Sequence, residues 1–109
     1  MGISTHILDT SLGRPAAEIP VSLAHLEAEQ WTTIAQAATD RDGRCKDLLS
    51  TNTPGIYRLH FETSLYFDRL GSQSLYPYVE IIFEVTDPAG HFHIPLLLSA
   101  NSYTTYRGS

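Results

Sequence analysis

Cysteine, tryptophan and methionine each occur only once among the 109 residues of this chain. Cys45 has no partner for an internal disulfide, which excludes a disulfide-stapled scaffold and fits a reducing compartment. It could act as a nucleophile, but nothing near it in the sequence would depress its pKa. Basic residues are also few. Seven Lys and Arg against twelve Asp and Glu give a net charge of −5 with no basic run, which argues against nucleic acid or an anionic membrane as a partner. No apolar stretch approaches the ~20 residues needed to span a bilayer. The start lacks the charged and apolar regions of a signal peptide, and Arg107-Gly108-Ser109 is not a peroxisomal tripeptide. The expected location is therefore cytoplasmic. Neither a repeat, a low-complexity tract nor a linker interrupts the chain, so residues 1–109 are expected to form one domain.

What is present is period-two alternation. Val79, Ile81, Phe83 and Val85 point one way, while Tyr78, Glu80, Ile82 and Glu84 point the other, as in a half-buried strand. Tyr57, Leu59 and Phe61 likewise oppose Arg58, His60 and Glu62. Further strands are predicted near 3–9, 19–27, 31–39, 91–98 and 102–107. Turn residues separate them at Leu12-Gly13-Arg14-Pro15, Asp42-Gly43 and Pro54-Gly55. Asp87-Pro88-Ala89-Gly90 reads as a hairpin turn between the strands on either side. Leu48-Leu49 implies a longer excursion between the turns at 42–43 and 54–55. One helix of about two turns is predicted, capped by Thr63 or Ser64 and closed by Gly71 in a left-handed conformation. So short a helix must pack on the sheets. Seven or eight short strands separated by turns predict an all-β antiparallel sandwich.

Candidate chemistry lies on the faces turned away from this core. Phe92, Ile94, Leu96 and Leu98 form an apolar face, which leaves His91, His93, Pro95 and Leu97 on the other. Pro95 cannot donate to a ladder, so its strand is expected at an edge or locally unpaired. Leu97 beside histidines on an outward face points to burial by another subunit. His6 shares its side of the first strand with Ser4 and Leu8, and Arg44 follows Asp42-Gly43 in a turn. Taken singly, each has an ordinary reading: interface histidines and a solvated loop arginine. Taken together, histidines that exchange protons near neutral pH and an arginine that never loses its charge could activate water and stabilise a developing oxyanion without a metal.

Three motifs carry a family resemblance. Thr5-His6-Ile7-Leu8-Asp9-Thr10, Asp42-Gly43-Arg44 and the run from His91 to Ser99 with Tyr103-Thr104-Thr105-Tyr106-Arg107-Gly108-Ser109 resemble the signatures of the 5-hydroxyisourate hydrolases, relatives of transthyretin. Gly55-Ile56-Tyr57, Tyr66-Phe67 and Tyr76-Pro77 also sit where that family has similar residues. The sequence departs from the pattern at Ala100-Asn101-Ser102, where a proline is usual, and at Thr104, where serine is common. The resemblance implies a transthyretin-like sandwich of about eight strands with one short helix, assembled as a dimer of dimers with sites at the dimer–dimer interface. It implies His6, Arg44 and His93 as the catalytic set. Substrate contacts would come from His6, Arg44, Tyr106 and Ser109. The implied reaction is cofactor-free, metal-independent hydrolysis of 5-hydroxyisourate to 2-oxo-4-hydroxy-4-carboxy-5-ureidoimidazoline in urate breakdown.

Two other readings compete. His91 and His93 on one strand face, with His6 as a third ligand, could form a zinc or copper site, since neutral imidazole suits both metals. A non-catalytic small-ligand binder of transthyretin type is the other. That reading leaves Arg44 and the Tyr-Arg-Gly-Ser end without a role.

Overall fold

Each alternating segment buries one face, and two sheets close on each other to cover those faces. The computed structural model describes residues 2–50 and 53–109. Its elements are β1 (Ile3–Asp9), β2 (Arg14–Pro15), β3 (Pro20–Glu27), β4 (Gln30–Ala38), β5 (Arg44–Leu49), β6 (Gly55–Phe61), α1 (Thr63–Arg69), β7 (Val79–Val85), β8 (Phe92–Leu98) and β9 (Tyr103–Thr105). One sheet runs β4-β3-β6-β7. In the other, β8 lies between β1 and β9, while β5 and the two-residue β2 pair with different parts of β1. Ile3, Ile7, Phe92, Ile94, Leu96 and Leu98 from this sheet meet Val21, Leu23, Tyr57, Leu59, Phe61 and Val79 from the other. The alternation at 57–61 and 79–85 thus reads directly as core against solvent. Tyr57 is 1% exposed and Leu59 0%, whereas Ile82 on the opposite face is 62% exposed.

The helix follows its sequence signals at one end only. Gly71 adopts φ 68°, and the Ser72 N–H reaches the Phe67 carbonyl at 2.9 Å, closing α1 as expected. At the other end the cap position is Glu62, with no side-chain cap bond. Thr63 is instead wholly buried inside the first turn, and its Oγ1 finds no hydrogen-bond partner among the described residues. Packing of Thr63, Tyr66 and Phe67 outweighed capping. Asp9, 2% exposed, ties the helix to β1: it accepts from the Tyr66 hydroxyl at 2.6 Å and from the Ser11 and Leu12 N–H groups. Burial, then this carboxylate, push the Tyr66 pKa up to about 12.

Several expectations need correction. The 44–49 segment, read as part of a long excursion, is strand β5, and Arg44 is its first residue rather than a turn residue. The sandwich is not wholly antiparallel, because β1 and β8 run parallel along all of Ile3–Asp9. Side-chain alternation carries no information on strand direction, and these partners lie far apart in sequence. The turn at 87–90 forms, with the Gly90 N–H bonded to the Asp87 carbonyl at 3.0 Å. It joins no hairpin, however: β7 pairs with β6 in one sheet and β8 with β1 and β9 in the other. Of the two places expected for Pro95, an edge or a locally unpaired position, the second holds. Strand β8 is internal, but its ladder with β9 begins only at Leu96, so the missing N–H forfeits no ladder bond. The Pro95 carbonyl accepts from the Thr105 side chain at 2.7 Å.

Candidate active site

The outer face of the sheet containing β1 collects the candidate residues through its register. On β1, His6 is the partner of Arg44 on one side and of Pro95 on the other, while Ser4 is the partner of His93. Period two then places Ser4, His6, Arg44, Lys46, His91 and His93 on this one face. Ser4, Thr5, Arg44, Lys46, His91, His93 and Ser109 line an open cavity of about 270 Å³ there. His6 is half-buried beside it.

Arg44 is aimed by the turn before it. The Asp40 carboxylate accepts from the Asp42 N–H at 2.9 Å and the Arg44 N–H at 3.0 Å, winding the chain into β5. Gly43 adopts φ 76° and lies against β1, where a side chain would collide with the Ile7 carbonyl. The Asp-Gly pair therefore exists to deliver Arg44 opposite His6. Among the described residues no carboxylate forms an ion pair with Arg44, so its guanidinium is available to an anion or a polarised carbonyl.

His93 is held from three sides. Its Nδ1 lies 2.8 Å from Ser4 Oγ, which also lies 3.2 Å from His91 Nε2. Its carbonyl accepts from the Gly108 N–H at 2.8 Å. Its ring packs on Gly108 so closely that a Cβ there would stand 2.6 Å from Cδ2. Burial lowers the pKa of His93, and the positive charges available to His6, His91 and Arg44 lower it further. At neutral pH His93 is therefore a neutral imidazole that can accept a proton.

Other candidates lie elsewhere. The Tyr106 side chain is exposed and lines a separate apolar groove with Ile81, Phe83, Phe92 and Ile94, away from the histidines. Cys45 is buried beneath the site, and burial pushes its thiol up to about 11, so it offers no nucleophile near neutral pH. Among the described residues no three His, Cys, Asp or Glu side chains are arranged to hold a metal. Sequence reading missed Ser4, Lys46 and the role of Gly108. Ser4 had a visible signal in its shared parity with His6. Lys46 becomes visible only once 44–49 is read as a strand.

Fold and site together define a small β-sandwich protein whose polar site, rich in imidazole and cationic groups, lies on the outside of one sheet. Residues 3–108 match the model of the HIUase/Transthyretin family, and the chain belongs to that family. It is 47% identical to a mouse 5-hydroxyisourate hydrolase, over 98% of this chain and 94% of the mouse protein. The solved structure of a Klebsiella pneumoniae 5-hydroxyisourate hydrolase covers 100% of both chains at 38% identity and a TM-score of 0.86. Sea bream transthyretin, solved with thyroxine, superposes with a TM-score of 0.93 at 32% identity, covering 99% of this chain and 95% of that one. The architecture is thus the transthyretin-like sandwich with one short helix. Backbone likeness does not separate carrier from hydrolase, so the side chains at the site must.

Proposed function

We propose that this protein is an enzyme that hydrolyses 5-hydroxyisourate, opening the six-membered ring at its N1–C6 amide. The observation that carries this reading is the register that gathers His6, Arg44 and His93 on one outer sheet face. Arg44 orients the substrate and stabilises negative charge on the attacked C6 carbonyl. His6 serves as the base for water, and His93 assists proton transfer to the leaving N1. Water oxygen bonds to C6, the C6–N1 bond breaks, N1 takes the proton, and the product carries a carboxyl and a ureido group. Ser109 contacts the substrate from the cavity wall.

The working unit is read as a dimer of dimers with sites between dimers. Leu97 beside the histidine face and the exposed Ile82 on edge strand β7 support burial by further subunits. Tyr106 would join the site from such an arrangement, since within its own chain it faces the separate groove. No described helix is long and apolar enough to cross a membrane. A cytoplasmic setting fits a chain whose one cysteine leaves no internal disulfide to form.

The test is the decay of 5-hydroxyisourate, generated in the cuvette from urate by urate oxidase. Acceleration that survives chelator and is lost in His6→Ala is the expected result. A folded protein that leaves the decay unchanged refutes the proposal.

A further inference from the structure

Ring opening leaves a proton behind. The nitrogen released from the N1–C6 amide becomes part of a non-basic urea, while the new carboxylic acid ionises well below neutral pH, near the ~3.5 of a free α-carboxyl. Each turnover at neutral pH therefore deposits one proton in the site, and that proton must reach solvent. His93 is poorly placed to keep it, with His6 on β1, Arg44 and Lys46 on β5, His91 just before β8 and Arg107 in the tail all contributing or able to take positive charge nearby.

We propose that Ser4 and His91 form the proton exit of this site, carrying the released proton from His93 Nδ1 to solvent; the inference rests on the hydrolase reading above. Ser4 Oγ is the bridge, 2.8 Å from His93 Nδ1 and 3.2 Å from His91 Nε2. Ser4 is only 5% exposed, so its hydroxyl is confined to these two partners, whereas His91 is exposed within its own chain at the rim of the cavity. The two imidazole rings lie 6.5 Å apart and nearly parallel, at 12°, too far for direct transfer and well spanned by one hydroxyl. The transfer balances. His93 accepts the carboxylic proton at Nε2 and gives its Nδ1 proton to Ser4 Oγ, and Ser4 passes its own hydroxyl proton to His91 Nε2. His91 then releases its Nδ1 proton to water, and reorientation of the Ser4 hydroxyl and both tautomers resets the chain. Ser4 and His91 act through His93 and are positioning residues with respect to the substrate. With Nδ1 engaged by Ser4, this order leaves Nε2 of His93, without a protein partner among the described residues, for the chemistry.

The experiment measures kcat and KM for 5-hydroxyisourate with the wild-type chain, His91→Ala, His91→Gln and Ser4→Ala at low buffer strength. A range of imidazole concentrations follows. Wild-type activity is read first, because its absence overturns the hydrolase reading itself rather than the relay alone. The relay predicts that His91→Ala and His91→Gln each lower kcat about tenfold, a modest share of what proton transfer contributes, with KM little changed. Imidazole then restores kcat of His91→Ala in proportion to its concentration. Glutamine can keep a hydrogen bond to Ser4 but cannot pass a proton. Full activity in His91→Gln, or a loss in His91→Ala that imidazole does not relieve, overturns the relay. His91 is exposed, so its variants carry the test even if Ser4→Ala folds poorly.

Discussion

Replacing Gly108 with alanine probes how the tail holds His93. The added Cβ would lie 2.6 Å from His93 Cδ2, 3.3 Å from its Cγ and 3.3 Å from Pro95 Cγ. Carbon atoms rest at about 3.5–4.0 Å, so the imidazole must retreat by roughly 1 Å or the tail must lift. Lifting the tail breaks the Gly108 N–H bond to the His93 carbonyl, worth about 1 kcal/mol. Moving the ring stretches the 2.8 Å contact between Nδ1 and Ser4 Oγ. Gly108 is not among the glycines with positive φ, so alanine adds no backbone strain there. The expected outcome is a kcat for 5-hydroxyisourate decay lowered about a hundredfold, as misplacement by about 1 Å costs. Tm should fall by no more than the several degrees that one hydrogen bond of about 1 kcal/mol supplies. Gly108→Ala with wild-type kcat would refute the packing argument. A matching collapse in Tm would place the effect in folding rather than in alignment of His93.

The remaining predictions concern pH and stability. Because burial and neighbouring positive charge lower the His93 pKa, the His93 imidazole followed by NMR should titrate with a midpoint below 6.5, the value of a free histidine; a His93 midpoint above 6.5 contradicts this. On the other sheet, burial opposes charge on His60, but hydrogen bonds to Glu62 and Glu80 at 2.5 and 2.7 Å outweigh it and raise the pKa. That clasp is fully present below pH 6.5 and is lost as pH rises through the raised value, so Tm should decline there in the wild type and not in His60→Gln. Cys45 and Tyr66, raised to about 11 and about 12, stabilise the fold below pH 9 and lose that contribution as pH rises toward 12. Each two-unit shift corresponds to about 3 kcal/mol, so Cys45→Ala should flatten part of the alkaline decline in chemical denaturation. Tyr66→Phe leaves the buried Asp9 carboxylate without its 2.6 Å donor and should cost about 1–3 kcal/mol at neutral pH, read by the same titration.

Alternation was enough to place most strands and to assign their faces, because the two-residue period of a strand is a property of the backbone alone. The outward histidines and the left-handed Gly71 followed from the same local rules. Strand β5 was hidden because Arg44-Cys45-Lys46-Asp47 alternates around a single small buried side chain, which turn residues on both sides obscured. Glu62 took the cap position from Thr63 because burying Thr63 against the core decided where the first turn sits.

By itself the sequence determined the list of parts: two faces per strand, an acidic chain with one thiol, and motifs that carry His6, Arg44 and His93. Only the tertiary structure decided how they meet. The parallel pairing of β1 with β8, the seating of β5 beside β1 and the closure of Gly108 onto His93 each join residues distant in the chain. Such pairings follow from burial of the whole core, and no local propensity encodes which strand lies next to which.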